Sequence, residues 1–177
     1  MPDVPPFPTD LVLEGQVVRL RPVLATDHAR LDSILAEPSV ARWWTAASEA
    51  GAAADWLAGD ESIQFVIESG GVVVGSLQIE EELDPDYEFA SIDLFLAGEA
   101  QGRGLGPDAI RTISRYLIEG RGHHRLTIDP NVANDHAIRA YTKVGFKPVG
   151  VMRAYERNAD GSWHDNLLMD LLAGELT

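Results

Sequence analysis

Cysteine is absent from the 177 residues. The chain therefore has no disulfide to staple it and no thiolate to ligate a metal. Long apolar runs are missing too, since none approaches the roughly 20 residues that span a bilayer. Positive charge is scarce. Lys and Arg total 14 against 28 Asp and Glu, a net charge of −14. Such a chain repels phosphate backbones, which argues against a nucleic-acid partner and for a cationic ligand. The same acidity also serves a plainer end, solubility. The opening MPDVPPFPTD has no basic segment followed by an apolar one, so a cytoplasmic location without a membrane partner is expected. His123 and His124 are expected to face opposite sides of a strand with no partner cluster, so no metal is expected.

What remains is ordinary for a globular protein, with 45% hydrophobic residues. Residues 1–15 read as a proline-rich tail and 16–177 as one domain. VVRLRP (17–22) reads as a strand. Thr26 is the expected N-cap of a helix ending near Pro38. A second helical region is expected from Ser39 to about Gly59. IQFVIES, Gly70-Gly71 and VVVGSLQIEE read as a hairpin, and EFASIDLFLA (88–97) as another strand. A helix from Pro107 to about Glu119 shows Ile110, Ile113 and Leu117 on one face. RLTID (125–129) is a short strand, Asn134 opens another helix, and strands at 146–157 and 163–172 close the chain. The order predicts an α+β fold with a mixed sheet and helices packed on its faces.

QGRGLGP (101–107) stands between a predicted strand and a predicted helix. Orphan N–H groups and the helix dipole make such a junction an anion site, and glycine lets a diphosphate approach the backbone. Pro107 suits the first helical turn, and Arg103 adds charge. A turn followed by a cap is the plain alternative. Neither a P-loop nor a dinucleotide fingerprint fits, because the loop does not end in Gly-Lys-Ser/Thr and its glycines are spaced by two.

Gln101, Gly104 and Gly106 in Q-x-x-G-x-G, followed by NDHAIRAYTKVGF (134–146), resemble the two signature segments of the GNAT acyltransferases. The element order is similar to that fold from about residue 16 to 172. The resemblance implies six to seven mostly antiparallel strands, helices on both faces and one splayed strand pair. It also implies acetyl-CoA as co-substrate, with no metal. Its diphosphate would lie on Gln101, Gly102, Arg103, Gly104, Leu105 and Gly106. Its thioester would meet the main chain of Leu94, Phe95 and Leu96, and its pantetheine arm Asn134. Tyr141 would be the general acid at the leaving sulfur, since its ordinary pKa of about 10 lies near that of an alkyl thiol. Without the resemblance, Tyr141 reads as a core aromatic beside Ala137 and Ala140, and Asn134 as a helix cap.

ARWWT (41–45), EEELDP (80–85), ID (92–93), the glycine loop, DPNVAN (129–134) and AIRAYTKVGF (137–146) together resemble the aminoglycoside 6′-N-acetyltransferases. This implies a small polycationic amine as partner and a resistance-type activity. Substrate would touch Trp43, Trp44, Glu82, Asp84, Asp93 and Asp129, with Asp93 also assisting deprotonation of the amine, directly or through water. A carboxylate within the apolar stretch Ile92–Leu96 is costly to bury without purpose. The tryptophans also suit a core, Asp129 a strand-end turn, and Glu80–Glu82 a solvated run. The ending VMRAYERNADGSWHDNLLMDLL departs from that subgroup and is more like the acetyltransferases of ribosomal-protein N-termini. Acetylation of a protein N-terminus, a lysine-like metabolite or a polyamine therefore stays open. So do a non-catalytic acyl-CoA-binding module and a nucleotide hydrolase. A monomer or homodimer is expected.

Overall fold

The computed structural model describes residues 6–44, 63–158 and 160–177. Within them a single sheet holds eight strands: β1 Leu13–Glu14, β2 Arg19–Pro22, β3 Ile63–Ser69, β4 Val72–Glu82, β5 Phe89–Leu96, β6 Arg125–Ile128, β7 Lys147–Arg157 and β8 Trp163–Leu172. Their order is β1-β2-β3-β4-β5-β6-β8-β7. Every neighbouring pair is antiparallel except β5 and β6. The helices are α1 His28–Leu35, α2 Pro38–Ala41, α3 Leu105–Arg115 and α4 Asp135–Thr142. The fold is α+β, as expected, with one strand more than the six to seven anticipated.

The extra strand comes from the stretch read as a tail. Leu13 pairs with Leu20, and Glu14 with Arg19. Upstream, the Phe7 ring lies 6.4 Å from Phe65 and 5.8 Å from Tyr116. The Arg121 guanidinium sits 4.0 Å over the same ring. The prolines suggested a free arm, but Phe7, Leu11 and Leu13 supply apolar surface that the core covers. The turn at Gly15–Val18 is fixed from across the fold, where the Asp108 carboxylate accepts N–H bonds from Gln16, Val17 and Val18 at 3.1, 2.8 and 3.1 Å.

Local chemistry explains most boundaries. Gly70 and Gly71 take φ of 61° and 79°, the pair a tight β3–β4 turn requires. Asp27, not Thr26, organises the first helix. Its carboxylate accepts the Leu24 N–H at 2.9 Å and is held by Arg21 at 2.7 and 3.0 Å. A 3-10 turn, Ala25–Asp27, leads into α1. Of the helical region expected from Ser39 to Gly59, α2 lies at its start, and residues 45–62 fall outside those described. α3 begins at Leu105, two residues before Pro107, and passes into a π-helical turn at Tyr116–Gly120. Ile110, Ile113 and Leu117 share its fully buried face.

The site is set by a seam in the sheet. β5 and β6 pair only at Ala90–Leu126 and Ser91–Thr127. β5 then continues to Leu96, while β6 stops at Ile128. Beyond Ser91 the main-chain groups of β5 that point toward β6 have no strand to bond. This is the splayed pair.

Candidate active site

The mouth of the slot is the glycine loop. Gly102 and Gly104 adopt φ of 73° and 82°, a region that costs other residues about 1–2 kcal/mol. A methyl group at either would meet nothing within 4 Å, so backbone geometry rather than crowding calls for glycine there. Gln101 ties the loop back to the strand, its Nε2 donating to the Leu96 carbonyl at 2.9 Å. The next amide bonded inside the protein after Gln101 is Asp108, which donates to the Gly104 carbonyl at 3.2 Å. Among the described residues the amides of Gly102 to Gly106 find no acceptor. They stand at the N-terminus of α3, where the dipole adds partial positive charge.

A cavity of about 620 Å³ opens from this loop between β5 and α4. Leu94, Phe95 and Leu96 line it, as do Gln101, Gly102, Gly104 and Gly106, Asn134 and Tyr141, and Trp43 and Trp44. Trp44 packs edge-on against Phe95 with ring centres 5.1 Å apart. Asn134 caps α4, its Oδ1 accepting the Ala137 N–H at 3.2 Å. Two expected members do not line the cavity with their side chains. Leu105 is buried in the core and Arg103 is exposed on the loop, and neither is among the residues that line the cavity.

A ring of acids, Asp93, Asp129, Glu80 and Glu156, gathers near Tyr141, and none of the four lines the cavity. Asp93 stands on β5 opposite Gln78, and Asp129 follows β6. Asp93 keeps an exposed surface on β5. Desolvation there, and then the nearby Asp129, push its carboxyl up to about 8. Glu156 and Glu80 add to the push, while a hydrogen bond from the Leu94 N–H at 2.8 Å opposes it. Asp129 is raised by desolvation first and then by Glu156 and Glu80, against a hydrogen bond from Asn166 that lowers it. Tyr141 is driven well above its ordinary value by burial first, then by Asp93 and Asp129. It holds its proton at any working pH and makes a poorer match to a thiol than its ordinary value suggests.

Two acids singled out in the sequence do not join this ring. Glu82 pairs opposite Phe89, four residues along β4 from Gln78, which is about 13 Å of strand. Asp84 lies further out, its N–H bonded to Glu82 at 2.9 Å. Strand geometry makes Glu80 the nearer member of the run and the one that acts on Asp93 and Asp129. Glu81 is no solvated residue either. It is buried, ion-paired with Arg121 at 2.6 Å and hydrogen-bonded to His123 at 2.5 Å. His123 and His124 precede β6 rather than lying on a strand, and His123 is 2% exposed. Sequence reasoning missed Glu156, Tyr155 and Asn166 altogether. Their strands β7 and β8 were legible, but not the bulge between Met152 and Glu156 that sets which side chains meet. Among the described residues no group of His, Asp and Glu is arranged to hold a metal ion.

Comparison with known proteins bears on the same residues. The model of the acetyltransferase (GNAT) domain matches residues 18–147. The aminoglycoside N(6′)-acetyltransferase type 1 of Klebsiella pneumoniae is 36% identical over 74 residues, a stretch covering 41% of this chain and 36% of that protein. A structure of AAC(6′)-Ib in complex with Parmomycin and AcetylCoA superposes with a TM-score of 0.74 at 26% identity, covering 90% of this chain and 97% of that one. Mycobacterium smegmatis RimJ in complex with CoA-disulfide superposes with a TM-score of 0.80 at 24% identity, covering 94% and 88%.

Proposed function

The chain belongs to the GNAT family of acetyltransferases, and from that premise we propose that it acetylates a primary amine of a polycationic substrate, the 6′-amine of an aminoglycoside. The observation that carries the substrate class is the uncompensated pair Asp93 and Asp129. Both carboxyls are raised by burial and by other carboxylates, and no cation is among the causes acting on either. An incoming ammonium relieves that repulsion. The partial likeness to the Klebsiella pneumoniae protein and the superposition on AAC(6′)-Ib support the same reading.

Acetyl-CoA supplies an activated thioester. The unbonded amides at Gly102–Gly106, with the α3 dipole behind them, suit its diphosphate, and the open slot suits its arm. The unpaired main chain of β5 past Ser91 donates to the thioester oxygen as negative charge builds there. Asp93, directly or through water, takes the proton that the ammonium must lose before its nitrogen attacks the carbonyl carbon. Tyr141 donates to the sulfur as the carbon–sulfur bond breaks. Transfer is direct, with amine and donor bound together, and no cysteine is present to carry the acetyl group between them.

The test is a purified-enzyme assay with acetyl-CoA and kanamycin, spermidine or short peptides, followed by thiol release and product mass. Acetyl-kanamycin carrying the group at 6′ supports the reading. Turnover of peptides alone would move the function to protein N-termini, and thiol release with none of the three would reject the polycation.

A further inference from the structure

The first turn of α3 holds an acid where an anion site has no use for one. Asp108 follows the glycine loop by two residues. A carboxylate so near competes with an incoming anion for the positive end of the helix. Yet Asp108 is 5% exposed and does not line the cavity, whereas Gly106, Pro107 and Ile110 of the same helix do. Its side chain is turned instead to the β1–β2 turn. Oδ1 accepts the Gln16 N–H at 3.1 Å, and Oδ2 accepts those of Val17 and Val18 at 2.8 and 3.1 Å. Successive amides gathered in this way make a nest for an anion. Here the protein's own acid fills it.

The fit is made from both sides. A methyl group on Gly15 would lie 2.6 Å from Asp108 Oδ2 and 2.7 Å from Thr112 Oγ1, so a larger residue there would drive the turn off the helix. The Gly15 N–H donates to the Val18 carbonyl at 2.8 Å and closes the turn. On the helix side, Thr112 Oγ1 donates to the Asp108 carbonyl at 2.7 Å. The Asp108 N–H donates to the Gly104 carbonyl at 3.2 Å, which joins this clamp to the loop. The loop is therefore a span with two fixed ends. Gln101 holds one end to Leu96, and Asp108 holds the other. The unbonded amides of Gly102 to Gly106 lie between, and the two ends set where they point.

We propose that Asp108 is a positioning residue for the donor: clamped on the amides of Gln16, Val17 and Val18, it fixes the first turn of α3 and so aims the loop amides at the diphosphate. This rests on the reading of acetyl-CoA as the donor and deepens it. The β1–β2 turn then serves the donor site, although none of Gln16, Val17 and Val18 lines the cavity. Two opposed effects meet in the one side chain. Its charge repels a diphosphate, and its placement arranges the amides that receive one. Three N–H bonds spread and damp the charge, so the placement prevails.

The experiment is titration calorimetry of the full chain with acetyl-CoA, run well below the thermal midpoint of each variant. Asp108→Asn keeps the size and one accepting oxygen but sets an NH2 group against the remaining amides. It is expected to raise the Kd about tenfold, the scale on which a loosened support tells on the groups it holds. Gly15→Ala leaves the acid in place and pries the turn away, and it is expected to raise the Kd in the same direction. Glu81→Gln is the control. It loosens the pairing with Arg121 beyond the other end of α3, so it should lower the midpoint and leave the Kd unchanged. An unchanged Kd in Asp108→Asn overturns the inference, and so does a lower one, which would mean that the charge outweighs the placement. An equal rise in Glu81→Gln overturns it too, since any loss of stability would then suffice. Should Asp108→Asn fail to fold, Gly15→Ala decides alone, and an unchanged Kd there is the overturning result. Absence of acetyl-CoA binding by the wild type removes the donor reading itself.

Discussion

At the scale of single residues, the proposed base, Asp93, ties the pH dependence of activity to that of stability. A carboxyl raised from 3.8 to about 8 keeps its proton in the folded state over a range where the unfolded chain releases it. Its stabilising contribution is complete below about pH 4 and is lost as pH rises toward about 8. The base, however, must be ionised to act. Activity on the free enzyme is therefore expected to climb with pH toward about 8 while the thermal midpoint falls. Asp93→Asn should flatten the fall in midpoint, seen by calorimetric scans between pH 5 and 9, and should abolish the climb in kcat/KM. Tyr141→Phe tests the other proton. It should cost about 10²–10⁴ in kcat, the span of a general acid, and titration calorimetry should give an unchanged Kd for acetyl-CoA. Asp93 stood out in the sequence because a lone acid inside an apolar strand is conspicuous, whereas its exposure on β5 could not be read there. Asn166 did not stand out, because an Asn in a hairpin strand gives no hint that its amide meets Asp129, 37 positions earlier.

Elements were easier to read than their contacts. Alternation and turn chemistry gave the long strands, and the φ values of Gly70, Gly71, Gly102 and Gly104 are those that their turns require. The short strand β1 escaped because two residues cannot show a period. Its pairing is fixed instead by distant groups, Phe65, Tyr116 and Asp108. Gly104, the N-cap of α3 with φ 82°, is the place to test the loop. Gly104→Ala meets no clash, so it should cost about 1 kcal/mol through backbone strain alone. Urea unfolding would measure that loss, and acetyl-CoA binding should weaken alongside it. A second test concerns the clamp joining β4 to the loop before β6. Glu81→Gln removes the buried carboxylate that pairs with Arg121, whose side chain is 5% exposed. The expected loss is about 3 kcal/mol in the same denaturant assay.

For the whole molecule, the net charge of −14 is both a reach and a burden. On the proposed reading the field draws a polycation from a distance, and salt shortens that reach. Raising ionic strength from about 0.01 to 0.15 M shrinks the screening length from about 30 to 8 Å. Initial rates should accordingly show kcat/KM for kanamycin falling over that range far more than for 6-amino-6-deoxyglucose, which has a single amine. The two-bridge seam between β5 and β6 has a further consequence. The sheet is two plates, β1 to β5 and β6 to β8, joined by a narrow weld. A ligand whose main-chain contacts substitute for the missing rungs of that ladder works as a keystone. On the proposed reading acetyl-CoA is that keystone, and the two plates are knit most firmly while the donor is in place.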